Sequence, residues 1–287
     1  MELYFTVKDL QKALSKDRKS GKTIGFVPTM GALHQGHLEL VKRSTTENDV
    51  TVVSIFVNPT QFNDANDLLK YPRTLKADRD LLLTTACTCV FAPTTDEIYP
   101  EPDTRQFDFG DLATVMEGRF RPGHFNGVAQ VVSRLFEIVK PDKAYFGEKD
   151  FQQLAIVREL VRQLDLKVQI IACPIVREKD GLAMSSRNRR LNENQRKEAA
   201  VISKTLLGSK EMWKKYSVPD LKQWVIAQIN ASPELQVEYF EIVNGHTLQP
   251  VEKWEDTDYP VGCIAVFAGD VRLIDNVTYV LDNRYEI

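Results

Sequence analysis

Three short apolar runs rich in β-branched residues limit what the first third of this chain can fold into. They are TIGFVPT (23–29), VTVVSIFV (50–57) and CTCVFAP (87–93). Such short and nearly continuous hydrophobic runs are typical of parallel strands that are covered on both faces. Residues 34–47, between the first two runs, carry apolar residues among polar ones, as a crossover helix would. The pattern therefore predicts βα units.

The same alternation continues as far as residue 176. A helical pattern, a strand-like run, a second helical pattern and a second apolar run follow one another in VAQVVSRLFEIVK (128–140), KAYFG (143–147), FQQLAIVRELVRQL (151–164) and KVQIIACPIV (167–176). Repeated βα units predict an α/β fold with a Rossmann-like, doubly wound parallel sheet. The ligands of such a sheet bind at the carboxyl ends of its strands.

The character of the sequence changes after Val176. Two polar helical patterns, one from about Asn192 and one around 219–230, precede the strand-like segments VEYFEIV (237–243) and GCIAVFAGDVRLI (262–274). This order predicts a smaller C-terminal α+β domain. We place the two domains at 1–175 and 176–287, since a chain of 287 residues exceeds what one core usually serves.

Composition excludes several classes of function. The formal net charge is -3 and the pI is near 5.9, so no strong positive field attracts a nucleic acid. The first twenty residues lack the apolar core of a secretion signal, and no segment is apolar enough for a membrane span. The four cysteines are scattered in apolar runs, which favours buried thiols in a reducing cytoplasm over a disulfide or metal role.

The segment PTMGALHQGH (28–37) lies between the first predicted strand and its helix. Backbone N–H groups and the helix dipole favour a phosphate at such a point. His34 and His37 are three residues apart, which places both imidazoles on one helical face. A histidine pair on a helix is often surface decoration or a buried structural pair. Only 4 histidines occur in the chain, however, and two of them share this glycine-containing turn.

His34-Gln35-Gly36-His37 resembles the HxGH signature of the nucleotidyltransferase superfamily. The longer segments FVPTMGALHQGH, FVNPTQF and YPRT resemble the pantothenate synthetase family within it. GRFRPGHFNGV, YFGEKDFQQL, MSSRN and RLIDN extend this resemblance, in the family's order, over nearly the whole chain. The loop NDANDLLK (63–70) departs from the family's usual form, and the C-terminal domain matches less strongly apart from RLIDN.

The resemblance implies a two-step ligase. Pantoate and ATP form pantoyl-adenylate and pyrophosphate, and β-alanine then attacks the acyl carbon to release pantothenate and AMP. It also implies a requirement for Mg²⁺ and a homodimer, with GRFRPGHFNGV near the subunit interface. No cysteine or serine nucleophile is needed, because the adenylate itself supplies the leaving group.

The resemblance also assigns roles to individual residues. The catalytic residues are His34, His37, Lys149 and Arg187. The ATP-binding residues are Met30, Gly31, Ala32, Leu33, His34, Gln35, Gly36, His37, Gly147, Glu148, Lys149, Asp150, Val176, Met184, Ser185, Ser186 and Arg187. Read without the family, the serines and Arg187 are an ordinary loop or helix cap. A lysine and an arginine suit the charge of a phosphate chain, and Arg187 can bind two of its oxygens at once.

The resemblance assigns pantoate binding to a second set of residues, and Gln61 of this set also binds β-alanine. The set is Pro28, Thr29, Gln61, His124 and Gln153. An amide donates to a carboxylate and accepts from a hydroxyl, which suits a hydroxy acid. Asp78 matches the acid that lies near magnesium in this family, although an aspartate on a solvated helix is an equal alternative.

Other functions stay open at this point. A different HxGH enzyme, which makes a dinucleotide from a phosphorylated substrate, shares the histidine pair but not FVNPTQF or GRFRPGHFNGV. A non-catalytic nucleotide-binding module accounts for the fold alone. An RNA-binding, synthetase-like protein is disfavoured by the acidic pI.

Overall fold

The structure is a computed structural model and describes residues 1–279. The chain forms two compact units. The first contains Met1–Ala113, Glu117–Glu148 and Gln153–Val176, and the second contains the described chain from Arg177 onwards. Two short segments, Thr114–Met116 and Lys149–Gln152, belong to the second unit although they precede residue 176 in the sequence. A division of the chain by sequence position alone does not separate these segments from the first unit.

A six-stranded sheet forms the centre of the first unit. Its strands are β1 (Glu2–Tyr4), β2 (Ile24–Thr29), β3 (Val50–Ile55), β4 (Cys89–Phe91), β5 (Lys143–Gly147) and β6 (Gln169–Cys173). They lie in the order β1-β4-β3-β2-β5-β6, and every neighbouring pair is parallel. The predicted doubly wound parallel sheet is confirmed. The edge strand β1 was not predicted, because three residues are too few to show a period.

Helices connect these strands. They are α1 (Val7–Lys19), α2 (Gln35–Glu47), α3 (Ala65–Lys70), α4 (Leu75–Leu82), α5 (Thr95–Ile98), α6 (Met116–Phe120), α7 (His124–Val139) and α8 (Phe151–Gln163). The strand order reverses between β2 and β5, since β3 and β4 continue to one side of β2 while β6 continues beyond β5. Ligands of open α/β sheets bind at the carboxyl ends of the strands beside such a switch point.

Helix α7 is the most deeply buried helix of the first unit. Phe125, Val128, Val132 and Phe136 each expose 5% or less of their surface, and burying one such side chain contributes about 1.5–3 kcal/mol. The helix begins at His124, four residues before the predicted start at 128. The histidine of GRFRPGHFNGV is therefore part of a helix held in the core, and its position is fixed by that packing.

The second unit contains a smaller antiparallel sheet with two longer helices. Strands β7 (Leu235–Asn244), β8 (Pro260–Ala268) and β9 (Val271–Thr278) are adjacent in that order. Helices α9 (Glu193–Met212) and α10 (Val218–Asn230) pack against them around a separate hydrophobic core. The run 262–274, predicted as one strand-like segment, is two strands joined by a tight turn at Gly269, where φ is +60°. The predicted α+β character is confirmed.

Candidate active site

The turn between β2 and α2 has an unusual backbone. Gly31 has a φ of +82° and Ala32 a φ of +51°, both in the left-handed region. A Cβ atom at Gly31 would lie 3.0 Å from Ile55 and 3.1 Å from Asp78, so glycine also fits the space. A left-handed alanine costs about 1–2 kcal/mol relative to a right-handed one. The surrounding structure must therefore hold this turn in place.

Asp78 of α4 holds the turn. Its carboxylate is 2% exposed, and its Oδ1 and Oδ2 accept hydrogen bonds from the backbone N–H of Leu33 at 2.7 Å and Ala32 at 3.0 Å. The Thr74 hydroxyl lies 3.2 Å from each oxygen. Hydrogen bonds to an ionised carboxylate are about twice as strong as neutral ones. With both oxygens engaged inside the protein, the predicted metal role of Asp78 lacks support, and its geometry is that of a structural clamp.

His34 and His37 cap the N-terminus of α2 and lie against each other. His34 Nδ1 accepts from the Gly36 N–H at 3.2 Å, and His37 Nδ1 accepts from the His34 N–H at 3.3 Å. The ring centroids are 4.1 Å apart. A ring nitrogen that accepts cannot also carry the proton, so each neutral imidazole is protonated at Nε2. The pair thus presents two N–H donors of fixed tautomer.

The backbone donors of this turn are mostly engaged by the protein itself. Ala32 and Leu33 donate to Asp78, Gly36 donates to His34, and the His37 N–H donates to the His34 carbonyl at 2.9 Å. The position of these amides at a strand-to-helix turn predicts that they bind a phosphate. The capping side chains compete for them, so in this structure the imidazoles are better suited than the amides to bind an anion.

Asn58 fixes the orientation of Gln61 after β3. The Asn58 side chain is 1% exposed, and its Nδ2 donates to Gln61 Oε1 at 3.2 Å and to the Gly127 carbonyl at 3.1 Å. Its Oδ1 accepts from the Tyr99 hydroxyl at 2.9 Å. Because Gln61 Oε1 accepts from Asn58, the Gln61 amide group is turned so that its Nε2 is available as a donor. Asn58 is therefore a positioning residue for the predicted pantoate ligand.

The N-terminal turns of α7 pack against the backbone of Thr60 and Gln61. A Cβ atom at Gly127 would lie 2.3 Å from the Thr60 carbonyl oxygen, so only glycine permits this close approach. His124 is 4% exposed, with Nδ1 2.8 Å from the Gln61 carbonyl and Nε2 3.1 Å from Arg121 Nη1. Both ring nitrogens have protein partners. His124 thus acts on Gln61, and the geometry does not favour the direct pantoate contact predicted for it.

The other predicted residues of the first unit lie at strand ends. Thr29 donates to the Ser54 carbonyl at 2.7 Å and accepts from the Gly31 N–H at 3.1 Å, so its hydroxyl belongs to the turn. Gly147 ends β5, and a Cβ atom there would meet no protein atom within 4 Å. The space next to the Cα atom of Gly147 is therefore open to a ligand. The half-buried or exposed positions in this group are Pro28, Met30, Gln35, Glu148, Val176 and Gln153.

Lys149 and Asp150 belong to the second unit, in the short helix Glu148–Asp150. The Lys149 side chain is 17% exposed, and its Nζ lies 3.5 Å from Asp150 Oδ2. The Lys149 carbonyl accepts a hydrogen bond from Asn276 Nδ2 at 3.1 Å. Local sequence patterns cannot predict this contact, because it joins positions 127 residues apart.

The segment from Arg177 to Arg187 forms a small hairpin followed by a short helix. Arg177 and Ala183 make an isolated antiparallel bridge, with Gly181 at the turn at a φ of +94°. Ser185 caps the helix Ser186–Arg190 by accepting from the Arg187 N–H at 3.2 Å. Met184, Ser185 and Arg187 are half-buried. The predicted loop is thus an ordered hairpin and cap, with Arg187 in the first turn of the helix.

The strand β9 contacts both of these segments. Asp275 binds the Arg177 guanidinium at 2.7 and 3.0 Å, Asn276 binds Lys149, and the strand packs against the helix Ser186–Arg190. Asp275 and Asn276 are the last two residues of the motif RLIDN, to which no role was assigned from the sequence. In the first unit the structure brings together the histidine turn with Asp78, and Gln61 with Asn58 and His124. In the second it brings together the segments that carry Lys149 and Arg187.

Comparison with known proteins decides the family. A family model described as "Pantoate-beta-alanine ligase" matches residues 2–278. The chain belongs to this family. The resemblance inferred from the motifs is confirmed, and this member of the pantoate-beta-alanine ligase family is an enzyme.

Relatives in the family match along their full length. The chain is 61% identical over 279 residues to pantothenate synthetase from Bacteroides fragilis strain YCH46, covering 97% of this chain and 99% of that protein. The crystal structure of pantothenate synthetase from Thermus thermophilus has a TM-score of 0.92 and 43% identity, and covers 98% of this chain and 100% of that one. The pantoate-beta-alanine ligase from Francisella tularensis, complexed with beta-gamma ATP and beta-alanine, has a TM-score of 0.83 at 34% identity, covering 98% of this chain and 99% of that one.

The cysteines of this family member are buried free thiols, as predicted. Burial raises the pKa of Cys87 and of Cys89 to about 12 and that of Cys173 to about 11. Thiols with such pKa values carry almost no thiolate at neutral pH and are poor nucleophiles. Among residues 1–279, none of the helices is long and apolar enough to cross a membrane.

Proposed function

We propose that this chain condenses pantoate with β-alanine to pantothenate, with ATP converted to AMP and pyrophosphate. The observation that carries the proposal is the imidazole pair at the N-terminus of α2, whose Nδ1 atoms accept backbone N–H groups and whose Nε2 atoms therefore donate. Such a fixed donor pair suits a phosphate that gains charge during a displacement. Family membership supplies the substrates, which no residue pattern alone identifies.

In the first step, a carboxylate oxygen of pantoate attacks the α-phosphorus of ATP. A new P–O bond forms, the bond to the β-phosphate oxygen breaks, and pyrophosphate leaves with its electron pair. His34 and His37 donate from Nε2 to α-phosphate oxygens as negative charge builds on them. Lys149 and Arg187 neutralise the phosphate groups that depart.

In the second step, the neutral amine of β-alanine attacks the acyl carbon of pantoyl-adenylate. The C–N bond forms, the bond to the AMP oxygen breaks, and the amine loses a proton to solvent. AMP is the leaving group, so an acyl-enzyme is unnecessary. The raised pKa values of Cys87 and Cys173 support this route, because neither thiol is ionised at neutral pH.

Pantoate recognition rests on amide groups. Gln61, oriented by Asn58, offers Nε2 as a donor to the pantoate carboxylate or a hydroxyl, and the same group can contact β-alanine. Gln153 in the first turn of α8 is proposed as a second contact, with Pro28 and Thr29 forming part of the wall. His124 serves pantoate through Gln61 in this proposal.

The ATP-binding residues are proposed in three groups. Met30–His37 bind the α-phosphate end, Gly147–Asp150 bind adenosine and the leaving phosphates, and Val176 with Met184–Arg187 complete the phosphate site. The open space beside Gly147 supports the second group, because a base or ribose can lie against the backbone there. By the same proposal, the first unit binds nucleotide and pantoate and the second acts as a lid.

Mg²⁺ enters this proposal only as the counter-ion of the ATP phosphates. Asp78 does not fit as its ligand, since both carboxylate oxygens already accept hydrogen bonds. Within residues 1–279, no three His, Cys, Asp or Glu side chains gather at one point.

We further propose a homodimer in the cytoplasm that acts on small molecules and on no nucleic acid. The four buried free cysteines suit a reducing compartment. The dimer rests on the family resemblance of GRFRPGHFNGV.

A half-reaction assay tests the proposal. Purified protein with ATP and Mg²⁺ should release pyrophosphate only when pantoate is present, and AMP should appear only after β-alanine is added. With phosphorylated acceptors, the substrates of dinucleotide-forming HxGH enzymes, no pyrophosphate should be released from ATP. Pyrophosphate release with such an acceptor, or AMP formation that does not depend on β-alanine, would contradict the function.

A further inference from the structure

The acidic and amide residues of β9 contact two segments that carry predicted phosphate ligands. Asp275 and Asn276 are 4% and 7% exposed. Asp275 binds Arg177, which begins the hairpin leading to Arg187, and Asn276 binds the backbone of Lys149. These segments are separated by more than twenty positions in the sequence, so no local structure relates them. All of these residues lie in the second unit.

The Asn276 contact fixes the main chain at Lys149. Nδ2 donates to the Lys149 carbonyl at 3.1 Å, and the reverse orientation of the amide would set two oxygens against each other. Lys149 lies in a helix of three residues, which has little stability of its own. The direction of its flexible side chain therefore depends on where Asn276 holds its backbone.

The Asp275 contact fixes the hairpin. Arg177 donates to both Asp275 oxygens, at 2.7 and 3.0 Å, and Arg177 Nη1 also donates to the Gly181 carbonyl at 3.1 Å. Asp275 Oδ1 accepts from the Asn276 N–H at 2.8 Å, so the two side chains share one backbone link. A bidentate arginine–carboxylate pair gives orientation as well as energy.

We infer that Asp275 and Asn276 are positioning residues that hold Lys149 and the Arg187 segment at a fixed separation. This inference rests on the proposed roles of Lys149 and Arg187. Neither β9 residue touches substrate; each acts through the backbone or the hairpin that it holds. Their effect falls on adenylate formation, because pyrophosphate has left before β-alanine reacts.

Asn276→Ala tests the inference in the full-length protein. Adenylation, measured as pantoate-dependent pyrophosphate release in a single turnover, should slow about 10-fold, because small misplacements of a charged group lower rates strongly. The transfer of synthetic pantoyl-adenylate to β-alanine should change less than about twofold, since the leaving phosphates are absent from that step. Glu238→Gln is the matched control, since it breaks the 2.6 Å ion pair between β7 and Arg272 of β9 without contacting Lys149.

A double-mutant cycle shows whether Asn276 acts through Lys149. In a Lys149→Ala background, Asn276→Ala should cause no further loss of adenylation. If Asn276→Ala does not fold, Asn276→Asp replaces it, because aspartate keeps the side-chain size but lacks the donor. Asn276→Asp should then show the loss of adenylation expected of the Ala variant. Equal losses in both half-reactions, additive losses in the cycle, or failure of both variants to fold would overturn the inference. If wild-type protein releases no pyrophosphate with pantoate, the proposed function fails instead.

Discussion

Two regions proposed to bind the phosphates of ATP are built in opposite ways. The turn Thr29–His37 follows a buried parallel strand, and a carboxylate with 2% exposure clamps its backbone. The hairpin and cap at 177–187 follow an edge strand, and two arginine–carboxylate ion pairs hold them, one between Arg177 and the buried Asp275 and one between the partly exposed Arg196 and Asp180. The first region presents neutral donors of fixed tautomer, and the second presents cations on long side chains.

This difference suits the two ends of a triphosphate. The α-phosphorus is the reacting centre, where donors must be in place before charge develops, and a buried turn provides that rigidity. The β- and γ-phosphates only leave, so long cationic side chains can follow them. We therefore expect substitutions in the turn to act mainly on rate and substitutions in the hairpin to act on rate, binding and local order.

The largest effect is expected from His37→Ala. Loss of one Nε2 donor and of the reciprocal cap should lower kcat about 10²–10³-fold, the usual result of deleting one transition-state donor. The KM for ATP should change only a few-fold, because the donor acts on charge that appears during displacement. Steady-state kinetics with pantoate and β-alanine measure both constants. Turnover near the wild-type rate in a folded His37→Ala protein would show that the turn is not the reacting site.

Arg187→Ala should have the next largest effect and should separate the half-reactions. We expect adenylation to fall roughly 10²-fold, as loss of a charged phosphate contact does, while transfer from synthetic pantoyl-adenylate stays near the wild-type rate. Arg189, an exposed neighbour in the same short helix, provides the control substitution Arg189→Ala. Equal losses in both half-reactions would remove Arg187 from the leaving-phosphate site.

Asp78→Asn tests whether the turn depends on its clamp. An amide cannot accept from both the Ala32 and the Leu33 N–H, so one donor loses its partner, which costs about 1–3 kcal/mol of stability. We expect kcat to fall roughly 10-fold, because the imidazole pair follows the turn. The Mg²⁺ concentration for half-maximal activity should stay unchanged. An increase in that concentration would instead support the metal role that the sequence predicted.

Comparison of the two regions also shows what the sequence was able to predict. The first unit follows from local patterns, since β2, β3 and β5 are apolar runs and the histidines follow β2 directly. The glutamine after β3 was predicted for the same reason. Asp78 was selected for a metal, whereas its contacts are those of a backbone clamp. No local pattern shows that its oxygens meet the Ala32 and Leu33 amides 46 and 45 residues away.

The second unit was less predictable for a physical reason. Its sheet is antiparallel, and its contacts join residues far apart in the sequence, such as Arg177 with Asp275. RLIDN was recognised as a motif, but only the fold shows that it contacts Lys149. The signal available in the sequence was composition: an aspartate and an asparagine between the apolar residues Ile274 and Val277 of a strand usually have buried partners.

The smallest effect is expected from Asp180→Asn at the tip of the hairpin. Asp180 pairs with Arg196 of α9 at 2.5 Å, with 39% and 34% of the two side chains exposed, so the pair contributes only about 0.2–1 kcal/mol. The Arg196 hydrogen bond lowers the pKa of Asp180, so this contribution is present at neutral pH and disappears as the pH falls below the ordinary aspartate value near 3.8. The variant should therefore show about 1.4- to fivefold faster tryptic cleavage after Lys179 at neutral pH, as expected from an opening equilibrium shifted by that energy. Asp165→Asn, which breaks the exposed pair with Lys167, should leave that cleavage unchanged. An unchanged rate in Asp180→Asn would mean that, of the two ion pairs, only Arg177–Asp275 orders the hairpin, and the two regions would then each depend on one buried carboxylate.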